Sequence, residues 1–248
     1  MFYFLNEAEA REFDAALATM TRLYPYRFAG DMLIAFQRNL GFLEDPRFLS
    51  AFQAEARSDQ ERSLAWRLHV LCWCAQNAMR LAGDFVECGV FRGFSSSVAA
   101  RYVEFGASRK TWHLYDTFAG VPADQLDAGH ENPAAYHDAA LYDAVVARFA
   151  QYPNVRVHRG RVPEVLAATA PERIAFLHLD MNSSRAELGA LEALYDRLVA
   201  GAALVLDDYG WLNYRAQKVA ADGFLGARGV GVLELPTGQG LVIKPGTA

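Results

Sequence analysis

Cysteine is scarce in this chain, with Cys72, Cys74 and Cys88 the only three among 248 residues. An odd count without metal-ligand spacing excludes a disulfide framework and a structural zinc knot, and makes a reducing cytoplasm the expected compartment. Lysine is equally scarce, so Arg supplies 21 of the 24 cations; with 42 Ala, this is a bias of composition rather than of chemistry. A surplus of positive charge is missing as well. The 29 acidic residues leave a net charge of -5, which offers no general field to nucleic acid or to anionic lipid. Long apolar runs are absent too. The longest in the first third, Leu68 to Met79 between Arg67 and Arg80, has 12 residues, and a membrane span takes about 20. The apolar start, Met1 to Asn6, lacks a basic segment and meets Glu7 and Glu9 at once, so no secretion signal is expected there.

What is present is apolar substance: 52% of residues are hydrophobic and 21% charged, enough for one sizeable core and too much for disorder. The first 80 residues read as helical. Apolar residues recur at turn spacing over 7–23, and Tyr24-Pro25-Tyr26 breaks the pattern. Asp31 to Leu40 is a short helix candidate, Asp45-Pro46 is a cap followed by a first-turn proline, and 59–81 is an amphipathic helix. After Gly83, short apolar runs (85–90, 111–115, 155–158, 174–179 and 202–206) alternate with helical segments. That is the pattern of a parallel sheet covered on both faces, an α/β fold. Val230 to Leu235 and Leu241 to Lys244 flank a glycine-bearing turn and predict a terminal antiparallel hairpin. Residues 120–139 predict a long inserted loop, a lid over one edge. The expected division is a helical cap over 1–60 and one sheet domain over 61–248.

The run Val86-Glu87-Cys88-Gly89-Val90-Phe91-Arg92-Gly93-Phe94-Ser95 predicts a strand, a glycine turn and a helix opened by Gly93 and capped by serines. The next strand ends at Asp116, 29 residues beyond Glu87, where an acid can accept both hydroxyls of a ribose. Phe91 between the glycines would crowd a pyrophosphate, and Glu87 would repel one while suiting a cation. A ligand with a ribose, no phosphate and a positive centre is S-adenosylmethionine. The plainer alternative is a strand–helix turn with a surface acid.

Asp180 closes one strand and Asp207-Asp208 close another, at the end where open parallel sheets bind ligands. Three converging carboxylates repel unless a cation lies between them. Oxygen ligands without a Cys or His pair suit Mg²⁺, Mn²⁺ or Ca²⁺. The competing explanation is that these acids cap the helices that follow.

With these residues in view, the chain resembles the macrocin O-methyltransferase family of class I S-adenosylmethionine-dependent enzymes. The strings 86–93, Leu114-Tyr115-Asp116-Thr117-Phe118-Ala119-Gly120-Val121-Pro122 and Leu206-Asp207-Asp208-Tyr209-Gly210 carry the likeness, which covers about residues 60 to 245. The resemblance implies a Rossmann-like sheet of seven strands with the last antiparallel. Glu87 and Gly89 would border the methionine part of the cofactor, with Asp116 at its ribose, and Asp180, Asp207 and Asp208 would hold a divalent metal; Gly93 and Ser95, opening the helix with free N–H groups, complete the expected cofactor site. It also implies a small-molecule hydroxyl, often of a sugar, as acceptor. One string departs: where the family commonly has Leu-Asp-Gly-Asp, this chain has Leu179-Asp180-Met181-Asn182, and Asn182 cannot act as a base. Asp180 is therefore the first choice of base by position. His113 and His178 read as core histidines, His130 and His137 as loop histidines, and Tyr209, Trp211 and Tyr214 as walls of an acceptor pocket or core. A nucleotide-dependent oxidoreductase and a non-catalytic binding protein are the rival readings. A homodimer built through the helical N-terminus is expected.

Overall fold

The computed structural model describes residues 5–24 and 27–246. Helix α1 (Glu7–Leu23) follows the periodicity, opened by a capping box in which Asn6 Oδ1 accepts from the Glu9 amide and the Glu9 carboxylate accepts from the Asn6 amide. The Pro25-Tyr26 break lies outside the described residues. The helix expected over 31–40 is replaced by a hairpin, β1 (Arg27–Gly30) paired antiparallel with β2 (Leu33–Phe36). Asp31 and Met32 form its turn at φ 49° and 60°. Left-handed conformation at both turn residues matches the twist of flanking strands, and Phe28, Ile34 and Phe36 favour extended backbone, so tertiary pairing overrides a weak helical pattern.

Helix α2 (Pro46–Glu55) starts as expected, with Asp45 accepting from the Arg47 amide at 2.9 Å. The helix expected over 59–81 is two, α3 (Asp59–Ser63) and α4 (Ala65–Ala78), divided at Leu64, whose ψ of 9° leaves the helical region. Helices α2 and α4 pack on one another and on the sheet domain's first helix, so residues 46–78 cover one face of the sheet.

The sheet is laid down as β3 (Asp84–Cys88), α5 (Phe94–Tyr102), β4 (Trp112–Asp116), α6 (Leu141–Phe149), β5 (Val155–Arg159), α7 (Leu166–Thr169), β6 (Ile174–Leu179), α8 (Ser184–Leu194), β7 (Leu198–Leu206), α9 (Arg215–Gly226), β8 (Leu233–Glu234) and β9 (Gly240–Ile243). Its order is β5-β4-β3-β6-β7-β9-β8. The first five strands are mutually parallel, and β9 runs antiparallel between β7 and β8. Alternate residues of each strand feed two cores. Phe85, Trp112 and Phe176 pack beneath α2, α4 and α5, while Val86, Leu177 and Leu204 meet Leu191 and Leu225 on the other face. Each such side chain contributes roughly 1.5–3 kcal/mol of burial. Both faces are covered, which is why the strands read as continuous apolar runs.

The chain runs outward from β3 to β5 and then returns to add β6 on the other side of β3. The resulting switch point opens a crevice at the carboxyl ends of β3 and β6. A Cβ on Gly89 would stand 1.8 Å from the Asp180 carbonyl oxygen, so only glycine lets these two strand ends lie so close.

Candidate functional site

The crevice holds an open-mouthed cavity of about 130 Å³, bordered by Gly89, Asp116, Tyr136, Asp180 and Asn182. Asp116 stands at the end of β4 and clamps the turn after β3. Its Oδ2 accepts from the Val90 and Phe91 amides at 2.7 and 2.9 Å, and its Oδ1 accepts from the Phe118 amide at 2.6 Å. A carboxylate has about four acceptor directions. Three are well filled, so Asp116 has room for one ribose hydroxyl rather than the two expected. The turn's amides are spent on Asp116, not left for a phosphate.

Three expected cofactor contacts lie elsewhere. Glu87 is 2% exposed and sits inside the sheet, bonded to Ser96 Oγ and His178, away from the cavity lining. Gly93 at φ 70° is the cap residue of α5, and a Cβ there would meet Phe149 at 2.7 Å, so this glycine answers helix packing. The expected serine cap is absent because Ser95, Ser96 and Ser97 all lie within α5. Ser95 does not line the cavity either.

Two of the three strand-end acids come together. Leu179 and Leu206 are paired across β6 and β7, and His178, Asp180 and Asp207 present ligand atoms within 4.8 Å of one another, a group that does not include Asp208. None of these acids caps a helix: Ser183 caps α8, and α9 has no side-chain cap. Capping therefore does not account for Asp180, Asp207 or Asp208.

Their surroundings differ sharply. Asp207 Oδ1 accepts from Gln239 Nε2 at 2.8 Å and faces His178 Nε2 at 3.2 Å, while its Oδ2 takes a short bond from Arg67. Burial works against its charge, but Arg67 and His178 prevail and hold its pKa well below the carboxylate range. Asp208 lacks such donors. Burial and the Asp207 charge push it up to about 7, although Arg67 lies 3.6 Å away. Asp180 borders the cavity with no hydrogen bond to its carboxylate among the described residues. Burial, then Asp207 and Asp208, raise its pKa well above the ordinary value. His178 is the hydrogen-bonded core histidine expected, and it is also a bridge, with Nδ1 2.8 Å from Glu87.

The segment between β4 and α6 folds over the cavity as a lid. Tyr136 packs edge-on against Phe91 (centroids 5.0 Å apart), and its hydroxyl accepts from Asn182 Nδ2 at 3.2 Å. Asp127 accepts from the Ser184 amide and hydroxyl at 2.8 and 2.5 Å, and Ser183 Oγ donates to the Gln125 carbonyl at 2.6 Å, so the start of α8 anchors the lid. His130 stacks on Tyr214 at 5.2 Å, and its buried Nδ1 has no partner among the described residues. His113 stacks instead on His158 at the sheet edge, half-buried, 3.1 Å between ring nitrogens.

The sheet and its switch-point crevice define an α/β fold with a ligand crevice at the carboxyl ends of its parallel strands. The family model for macrocin O-methyltransferases (TylF) matches residues 65–231, and the chain belongs to that family. The 8-demethyl-8-(2,3-dimethoxy-alpha-L-rhamnosyl)-tetracenomycin-C 4'-O-methyltransferase of Streptomyces olivaceus is 31% identical in an alignment of 158 residues that covers 58% of this chain and 60% of that one. The mycinamicin III 3''-O-methyltransferase of Micromonospora griseorubida is 28% identical over 58% and 62%. The matched part thus spans about 60% of the length of these curated relatives. Among solved structures, the O-methyltransferase NovP superposes with a TM-score of 0.61 at 21% identity over 73% of this chain and 80% of that one. CalS11, a calicheamicin methyltransferase, gives 0.59 at 18% over 98% and 95%. At these identities the likeness is one of fold. Among the described residues, no helix is long and apolar enough to cross a membrane.

Proposed function

We propose that this chain is an S-adenosylmethionine-dependent O-methyltransferase acting on a hydroxyl of a small molecule of sugar or natural-product type, assisted by a divalent metal. The observation that carries the reading is a cavity whose lining brings together Gly89, Asp116 and Asp180, the last with a carboxylate that accepts no hydrogen bond among the described residues. The cofactor, when bound, supplies an electrophilic methyl group. The residues present fit it: Gly89 leaves the crevice open, and Asp116 keeps one free acceptor direction for a ribose hydroxyl. Buried Glu87 adds negative charge behind the strand end without touching the cavity.

A Mg²⁺ or Mn²⁺ ion would supply Lewis acidity toward the acceptor oxygen. The donor set suits it, because Asp180 and Asp207 present ligand atoms within 4.8 Å of one another and Asp208 follows directly, and burial first, then like charge, raises the pKa of Asp180 and Asp208. Asp180 then receives the acceptor's proton, directly or through water. Tyr136 and Phe91, both in the cavity lining, offer aromatic surface to a sugar ring, and Asn182 orients Tyr136 instead of acting as a base. Two relatives are named for methylating a 4' position of a rhamnosyl tetracenomycin and a 3'' position of mycinamicin III, which supports a glycosyl acceptor.

Isothermal calorimetry with S-adenosylhomocysteine tests the cofactor. Binding is expected, with about 100-fold weaker affinity in Asp116→Ala, which loses a charged hydrogen bond and the clamp on the turn. No heat at millimolar ligand would sink the reading, and saturation by NAD instead would restore the oxidoreductase. The compartment consistent with three buried free cysteines is the cytoplasm. Residues 1–60 serve as a cap and as the contact of a homodimer: α1 buries none of its side chains in this chain. Light scattering at micromolar concentration should give twice the monomer mass, and a monomeric mass would dismiss the dimer.

A further inference from the structure

Arg67 is the one cation that α4 carries on its buried stripe, and it is 8% exposed. Its guanidinium is shared between two sets of acids. On one side Nε and Nη2 hold Asp31 in a fork, each at 3.0 Å. On the other, Nη1 bonds the Asp207 carboxylate, lies 3.3 Å from the Asp207 carbonyl and stands 3.6 Å from Asp208. Its face lies 5.3 Å from the Trp211 ring centroid. Asp31 comes from the hairpin turn between β1 and β2, far in sequence from Asp207 and Asp208. The N-terminal hairpin is thus tied to the strand-end acids through one buried guanidinium.

We propose that Arg67 is a positioning residue that sets how strongly Asp180, Asp207 and Asp208 hold a divalent cation, and that Asp31 tunes this strength by drawing the guanidinium toward the hairpin. The inference rests on the metal reading given above. A fixed positive charge beside two of three ligands opposes a second cation, and inside a protein this opposition is weakly screened. A planar guanidinium held by Asp31 on one edge is also unable to swing wholly onto Asp207 and Asp208. Neutralising Asp31 therefore leaves the whole charge of Arg67 to the strand-end acids and weakens metal binding. Removing the charge of Arg67 as well strengthens it. A role confined to holding the fold together predicts something else, namely weaker binding with each successive change.

The experiment is titration of Mn²⁺ alone, with free ion read by electron paramagnetic resonance. It compares the full chain, Asp31→Asn, and the double variant Asp31→Asn with Arg67→Met, in which both buried charges leave together so that neither remains unpaired. Melting by circular dichroism verifies that each is folded. Asp31→Asn is expected to raise the Mn²⁺ dissociation constant about tenfold, and the double variant to lower it about tenfold or more below that of Asp31→Asn. Equal Mn²⁺ affinity in all three would overturn the role of Arg67 while leaving the metal site standing. Loss of Mn²⁺ binding that deepens in the double variant would overturn it also. No bound Mn²⁺ in any of the three at millimolar concentration would remove the metal reading, and this inference with it. Should the double variant fail to fold, Asp31→Asn with Arg67→Gln provides the second arm. It also removes both charges but keeps a polar pair, so tighter Mn²⁺ binding than in Asp31→Asn supports the proposal, and equal or weaker binding overturns it.

Discussion

Asp180→Asn is expected to abolish methyl transfer and to raise the thermal midpoint of the protein. The two effects have one cause. Asp180 is held in a buried row with Asp207 and Asp208, and burial first, then those two charges, lift its pKa well above the ordinary 3.8. A carboxyl whose folded-state pKa is raised favours folding most at low pH, where it is protonated in both states. That contribution fades as the pH rises from the ordinary value through the folded one. At pH 8 the native state therefore bears a burden that an amide of the same shape does not impose. Removing it stabilises the native state, and in a chain of this size each 1 kcal/mol raises Tm by about 2–4 °C. The same change deletes the unbonded carboxylate facing the cavity, the group proposed to take the proton and hold the metal. A loss of about 10³-fold or more in kcat follows. Scanning calorimetry at pH 8 and a methyl-transfer assay with and without Mg²⁺ read both quantities. Transfer retained within about tenfold would remove Asp180 from the chemistry. A lowered Tm would show that the acid row is not under electrostatic strain. Divalent metal should raise the Tm of the parent chain and leave that of Asp180→Asn nearly unchanged.

The sheet was legible because strands buried on both faces are written as short apolar runs, and each of the five parallel strands fell within a few residues of its expected place. The strand-end acids were legible for a related reason: a charge directly after such a run has nowhere to go but the crevice. The hairpin over 27–36 was not. Its strands are four residues each, and its turn uses Asp31 and Met32 rather than the glycine or asparagine that usually marks positive φ. Glu87 was misplaced because strand spacing tells which acids lie near a strand end but not which side of it they face. Register decides that, by pairing Glu87 with His178 across β3 and β6. Arg67 left a usable trace. It falls three residues after Leu64 and four before Leu71, on the apolar stripe itself, where a charge needs a buried partner. Its partners lie 36 and 140 residues away, and no local pattern could have supplied them.

The second large effect belongs to His178. Replacing it with leucine removes the imidazolium that faces Glu87 through Nδ1 and Asp207 through Nε2, both acids buried, and leaves them without the cation between them. Breaking a buried pair from one side costs about 3–5 kcal/mol, enough to threaten a marginally stable domain. The pH dependence identifies the cause. Burial opposes the imidazolium, but bonds to Asp207 and Glu87 and their charges outweigh it, and the pKa stands well above the ordinary 6.5. A histidine raised in this way contributes fully below its ordinary pKa, and its contribution is lost as the pH rises through the elevated one. Asp207, depressed by Arg67 and His178 against its burial, behaves oppositely: its contribution is present above the ordinary 3.8 and fades as the pH falls. The parent chain should therefore lose this share of its stability at alkaline pH, and His178→Leu should show no alkaline loss from this source. Adding Glu87→Gln to His178→Leu takes away one stranded acid and should restore stability relative to the single variant, a coupling that urea denaturation of the four-member cycle measures directly. S-adenosylhomocysteine affinity should stay within about threefold in Glu87→Gln, because its carboxylate is committed to Ser96 and His178 and not to the cavity. A large loss of affinity with stability intact would return Glu87 to the cofactor's contact shell.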